Sequence, residues 1–343
     1  MLCSHQSKEA PVSQRHNIKN ASFCVKLPSM KHWFALPAVL LMLGIPGSVG
    51  NQTPELQKSA SVEPSTGANP NEARVYVTAK GRSGKAMTLK PSDIAIEEEK
   101  TAVKIDQVVC GRPDPLLLGI LLDASGSRRQ DLLLSSHYEA IKSFLPGVLG
   151  ENDKAHIVGF DDEPYPVTEV TDSRALLGAA LDKLRETAPR GSTALYDAIK
   201  FAAATNFGVQ GRRAIVIVAD FDDNASHTTF EKAVEALWST GTAVYAIVDA
   251  ADGGPLRKNE ANRADNVAHR LAMETGGEAF SVHGKEQFAK ALDDIQNLLN
   301  NFCRIDYIPL RVGSKKGFAK LRVTAVSFDV FVAAPERRPV GAP

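Results

Sequence analysis

The chain has 343 residues, 43% hydrophobic and 23% charged, with 40 acidic side chains against 40 Lys and Arg. This describes a globular protein with one large domain and smaller appendages, or with two domains. With no surplus of basic residues, the composition argues against nucleic acid as a partner.

Residues 1–50 read as a leader region. Met30-Lys31-His32 precedes an apolar run, Trp33–Ile45, which is followed by PGSVGNQT. A basic start, an apolar stretch of about 13 residues and small residues after it match a secretory signal peptide. The stretch is shorter than the ~20 residues a membrane-spanning helix requires. Residues 1–29 are polar and out of place before such a signal, so Met30 is the expected start. Ser48-Val49-Gly50 is only a fair cleavage site, so an uncleaved signal that tethers the chain to a membrane is the alternative to release. Either reading exports the protein, to a periplasm, a cell envelope or the medium. A buried helix is the competing assignment for Trp33–Ile45.

Residues 51–72, rich in Pro, Ser, Asn and Thr, read as a flexible linker. Residues 73–112 form a small β segment, with strands expected at 74–79, 93–97 and 101–105. Within it, GRSGKAMT is too short between its glycines for a phosphate-binding G-x-x-x-x-G-K-[ST] loop.

The rhythm then changes. Apolar runs at Leu116–Leu122, Ala155–Phe160, Ala214–Ala219 and Thr242–Val248 are what strands buried on both faces require. Helical periodicity separates them near 130–147, 173–185, 194–207, 228–239, 260–274 and 285–300. Ser173 and Thr228 or Thr229 are expected N-caps, and Gly276-Gly277 ends a helix. Residues 113–300 therefore predict an α/β domain, a doubly wound and mostly parallel six-stranded sheet. One short antiparallel edge is expected near Tyr165–Thr168. Residues 301–335 form a C-terminal β segment, with strands at 303–310, 319–326 and 328–333. These pair with one another or with the N-terminal segment, and 336–343 is a frayed tail.

His156 and His283 lack partners at catalytic spacing and are assigned to structure, while Met273, Phe280 and Phe288 are assigned to the core. Asn51-Gln52-Thr53 and Asn224-Ala225-Ser226 match the short glycosylation pattern. Cys3 and Cys24 fall in the leader. Cys110 and Cys303 flank the large domain; in an exported chain they can bond, and two buried thiols are the alternative. The first strand and last helix of the domain bring the two ends together, so a Cys110–Cys303 disulfide is the expectation.

Ligands of open α/β sheets bind beyond the carboxyl ends of the strands. Three loops at that edge carry oxygen ligands: Asp123-Ala124-Ser125-Gly126-Ser127, then Arg190–Asp197 with Thr193, then Asp220-Phe221-Asp222-Asp223-Asn224. Two carboxylates and three hydroxyls suit Mg2+, with Mn2+ or Ca2+ also acceptable to such oxygens. No His or Cys cluster has zinc spacing. Asp197 is read as an acid in a first helical turn, or as a support behind the metal. Asp222, Asp223 and Asn224 are read as loop caps, Asp161-Asp162-Glu163 as a solvated turn, and Arg128 and Arg129 as a solvated helix start.

The ordered set D-x-S-x-S, G-S-T-A-L-Y-D and a third-loop Asp resembles a von Willebrand factor type A domain with its metal-ion-dependent adhesion site. That likeness covers residues 113–300. It implies a Rossmann-like fold, with Asp123, Ser125, Ser127, Thr193 and Asp220 around the ion and a partner's Glu or Asp completing the coordination. More narrowly, Ser92–Lys100 before the domain and the β tail after it resemble the bacterial exported members of the family. The third loop departs from the family's S/T-D-G-x-D-N, since Ala219 removes a hydroxyl and Phe221 replaces a glycine. The resemblance implies a non-catalytic protein-binding module. A structural envelope scaffold with a vestigial metal site is the alternative. A metal-dependent phosphohydrolase using Asp123 is weaker, because Ser125 stands where such an enzyme uses a second acid.

Overall fold

A computed structural model describes residues 72–126, 134–187, 189–249, 258–310 and 317–340, all within one unit, Pro64–Pro343. Four strands come first: β1 (Ala73–Gly81), β2 (Ile94–Glu98), β3 (Thr101–Ala102) and β4 (Ile105–Cys110). The next elements are β5 (Leu116–Asp123), α1 (Leu134–Val148), β6 (Lys154–Phe160), β7 (Pro164–Thr171), α2 (Arg174–Glu186) and α3 (Leu195–Thr205). The large domain continues through β8 (Arg212–Ala219), α4 (Phe230–Thr240), β9 (Thr242–Asp249), α5 (Lys258–Thr275), β10 (Glu278–Val282) and α6 (Lys285–Asn300). The chain closes with β11 (Cys303–Tyr307), β12 (Gly317–Ala325), β13 (Val330–Ala333) and β14 (Arg337–Val340).

The central sheet runs β10-β9-β8-β5-β6-β7. Every neighbouring pair is parallel except β6 with β7, the expected antiparallel edge. The strand period of two decides which helices each residue meets. Leu116, Leu118, Ile120 and Leu122 pack into a core with residues of α1, α2 and α6. Leu121, Ile215 and Ile217 point the other way, into a second core with α3, α4 and α5. A sheet covered on both faces explains why β5 and β9 are buried at every position. The predicted six-stranded α/β fold is therefore the fold observed. Among the described residues, no helix is long and apolar enough to cross a membrane.

Local chemistry sets the helix ends. The Ser173 side chain accepts from the Leu176 amide and the Thr229 side chain from the Lys232 amide, satisfying donors that the first turn leaves open. After α5, a Cβ on Gly277 would overlap the Val244 carbonyl group. Only glycine lets α5 turn back this tightly into β10.

The two flanks build more than a small segment. They form two four-stranded antiparallel sheets, β13-β1-β11-β4 and β14-β12-β2-β3. Val75, Val77, Ile94, Ile96, Ile305 and Leu321 share one core between them. Cys303 and Cys110 face each other across β11 and β4 and form the expected disulfide. The buried Arg212, at the start of β8, donates to the Tyr76 carbonyl oxygen at 3.2 Å and to the Tyr245 hydroxyl at 3.4 Å. The flanks thus sit where the central strands begin.

Three expectations need correction. Arg337–Val340 is not frayed: β14 pairs antiparallel with β12, and Arg338 makes a bidentate pair with Glu98, whose side chain is fully buried. As an edge strand β14 accepts Pro339 without losing a ladder bond. Met273 is 61% exposed on α5, because that helix turns Ala268, Leu271 and Ala272 to the core instead. The expected strand 101–105 is broken, with β3 and β4 belonging to different sheets.

Candidate functional site

The carboxyl ends of β5 and β8 lie side by side, with Leu122 registered against Val218. This brings Asp123 and Asp220 to one edge of the sheet. Asp123 is 3% exposed and its Oδ1 accepts from the Ser125 amide at 2.8 Å. That short turn folds the chain back over the strand end and buries Ser125, at 1% exposure. Ser127, Arg128 and Arg129 lie outside the described residues.

The second loop is laced to the first by its backbone. Arg190 N donates to the Ala124 carbonyl oxygen at 2.9 Å, and Gly126 N donates to that of Gly191 at 3.0 Å. Gly191 has φ +74°, and a Cβ there would meet the Asp162 carboxylate at 2.5 Å. The same carboxylate accepts from the Ser192 amide at 2.7 Å, and the Ala194 amide donates to the Asp161 carbonyl oxygen at 2.8 Å. Asp162 and Glu163 are exposed, as expected of a solvated turn, and Asp161 and Asp162 also hold the second loop. Their contacts lie some 30 residues ahead, beyond the reach of any local pattern.

The third loop is tied to the second in turn. The Thr193 amide donates to Asn224 Oδ1 at 2.8 Å, while Asn224 N and Ala225 N donate to the Thr193 carbonyl oxygen at 3.0 and 3.1 Å. Thr193, 3% exposed, is thereby fixed between the other two loops. Asp223 Oδ1 accepts from the Tyr196 amide at 3.3 Å and from the Ser226 hydroxyl at 2.5 Å. Asp223 and Asn224 are thus loop caps, as expected. Asp197 accepts from the His227 and Thr228 amides at 2.8 and 2.9 Å, so it braces the chain that leads into α4. Burial alone would raise its pKa, but the hydrogen bonds from Thr228 and His227 outweigh burial and hold it below the usual carboxylate value.

Asp220 is half-buried, and its Oδ1 accepts from the Asp222 amide at 3.1 Å. Phe221, where the family has glycine, adopts φ +57°. Its ring does not lie in the open beside the acids; it is 2% exposed and joins the core under α3 and α4. Sequence reasoning also missed Tyr165 as a neighbour. Burial raises its pKa first, and the charges of Asp161 and Asp123 raise it further.

The donor set fits a hard divalent cation: two carboxylates and buried hydroxyls, held by loops that hydrogen-bond one another. Among the described residues, no three His, Cys, Asp or Glu side chains cluster into a metal cage. A bound ion would thus rest on hydroxyl oxygens as well as Asp123 and Asp220.

Residues 118–222 match the family described as the von Willebrand factor type A domain. Among solved structures, the chain is similar to an aerotolerance-related membrane protein from Bacteroides fragilis, at 21% identity and a TM-score of 0.42 over 53% of this chain and 98% of that one. It is similar to BatB from Bacteroides thetaiotaomicron at 19% identity and a TM-score of 0.43, with the same coverage of each chain. A von Willebrand factor type A protein from Catenulispora acidiphila matches at 11% identity and a TM-score of 0.46, over 81% of this chain and 75% of that one. No curated protein matches significantly.

Proposed function

We propose that the von Willebrand factor type A domain carried by this chain is a non-catalytic, metal-dependent protein-binding module. The observation that carries the reading is the three-loop edge, where Asp123, Ser125 and Thr193 are buried beside Asp220 on loops that brace one another. Asp123, Ser125, Ser127, Thr193 and Asp220 would hold a Mg2+ ion, or Mn2+ or Ca2+, some directly and some through water. Bound there, the ion supplies an electrophilic position for an oxygen ligand. With neutral hydroxyls making up most of the protein's donors, the ion keeps enough electrophilic character to take a carboxylate oxygen from outside, a Glu or Asp of a protein partner. The Cys110–Cys303 disulfide supports export to an oxidising compartment.

The test is calorimetric titration of the full chain with Mn2+ and Mg2+. The parent protein is expected to bind one ion, and Asp123→Asn and Asp220→Ala each to weaken binding at least about tenfold, a loss of ~1.4 kcal/mol. Ion binding unchanged in both variants, or none by the parent, refutes the reading. The second outcome returns the domain to a scaffold with a vestigial site.

A further inference from the structure

Two adjacent turns at the end of the β sandwich carry an unusual pairing of side chains. On the turn between β12 and β13, Phe328 is 95% exposed and Val326 66%, and Phe331 on β13 is 58% exposed. Three large apolar side chains within six residues contribute little to folding while facing water, and exposed apolar groups this concentrated mark a contact surface. The neighbouring turn follows β1 and is basic, with Arg82 and Lys85 both exposed.

The fold locks these two turns together. Val330 is registered against Gly81 and Phe331 against Lys80. Arg82 forms an ion pair with Asp329. The Val326 amide donates to the Asp93 carbonyl oxygen at 2.8 Å, which brings exposed Lys90 close to the apolar turn. Asp329 answers Arg82, and Asp93 Oδ2 accepts from the Lys90 backbone amide at 2.8 Å. Among the described residues, no acid lies within ion-pair distance of the Lys85 or Lys90 ammonium groups. The result is a pair of adjoining exposed turns, one apolar and aromatic, the other basic.

We propose that this tip docks on an anionic lipid bilayer, with Phe328 and its apolar neighbours entering the interface while Lys85 and Lys90 meet the headgroups. Phe rings gain by leaving water at headgroup depth, and each lysine near such a surface is attracted to the anionic headgroups. The placement suits this role. Arg212 at the start of β8 and Glu278 at the start of β10 hold the sandwich against the strand beginnings, through Tyr76 and Lys80. Asp123 and Asp220 stand at the opposite ends of the central strands, so the sandwich that carries the tip does not cover that edge. The inference does not depend on the metal site.

The test uses the full chain with Phe328→Trp and vesicles of phosphatidylcholine containing about a quarter phosphatidylglycerol, an anionic surface. Emission from the introduced indole, taken as the difference from the parent protein, reports this position even if residues 33–45 also bind lipid. The expected result is a blue shift and quenching by brominated acyl chains. Adding Lys85→Glu and Lys90→Glu should reduce that quenching at least about tenfold at fixed lipid, since two favourable surface charges are reversed. Indole emission that stays water-like on vesicles that have captured the chain overturns the proposal, as does failure to bind vesicles at all. Self-association or protein capture abolished by Phe328→Ser, with the indole emission unmoved by lipid, also overturns it and assigns the tip to a protein contact.

Discussion

Phe221 places two opposing effects on one residue, and their sizes decide between them. Its φ of +57° is a left-handed conformation that costs an L residue with a side chain roughly 1–2 kcal/mol relative to glycine. Its ring, at 2% exposure, packs among Leu195, Ala219 and Ala233, and truncating a buried Phe costs about 3–5 kcal/mol. Burial therefore wins. Phe221→Gly, which restores the family's residue, is expected to lose about 2–3 kcal/mol net, because the relieved strain offsets only part of the cavity. Phe221→Ala should lose at least as much, since it leaves the cavity and keeps the strain. In urea unfolding followed by circular dichroism, a loss of this size lowers the midpoint by about 1 M for a slope near 3 kcal/mol/M. A Phe221→Gly protein as stable as the parent, or more so, would refute the reasoning and show strain to be the larger effect.

The Cys110–Cys303 bond closes a span of 193 residues, for which the chain-entropy account gives about 5 kcal/mol; the double Cys→Ala variant should unfold at a markedly lower urea midpoint, and an unchanged midpoint would count against that account. Arg338→Met leaves the fully buried Glu98 carboxylate without its bidentate partner and should cost about 3–5 kcal/mol, read from thermal and urea midpoints, whereas a loss below ~1 kcal/mol would mean the pair is solvated. His156 is 1% exposed and shares a 3.0 Å hydrogen bond with Asn206. Burial lowers its pKa, so the unfolded chain takes up a proton more readily than the folded one. Stability from this residue is present above its ordinary value of about 6.5 and is lost as pH falls below it toward the folded value. His156→Gln should flatten the decline of the urea midpoint over that window, and an unchanged decline would assign it to other groups.

The parts of this protein legible in the linear chain are those governed by local rules. The four apolar runs form β5, β6, β8 and β9 because a strand covered on both faces has no position at which water is tolerated. Ser173 and Thr229 are readable as caps because a capping hydroxyl bonds an amide three residues away. β10 leaves no such signature: it is five residues long, mostly half-buried and lies at the sheet edge, so it carries neither a run nor an alternation. Arg337–Val340 reads as frayed because two arginines and a proline carry no strand pattern of their own. They are ordered by Glu98, more than two hundred residues earlier.

The candidate site divides along the same line. The chain itself determined which loops carry Asp123, Ser125 and Asp220, since the end of a buried strand is where a polar residue first becomes tolerable, whereas the Thr193 loop, which joins α2 to α3, was marked by its motif alone. It also determined that Cys110 and Cys303 flank one domain. Only the tertiary structure decided that Asp162 holds the second loop, that Asn224 ties Thr193 in place, and that Phe221 turns into the core. It also decided that the apolar turn at Phe328 lies beside the basic turn at Arg82. Each of these depends on partners far apart in the chain. A local pattern records what a segment can tolerate, whereas the identity of its distant neighbour is set when strands register and helices pack.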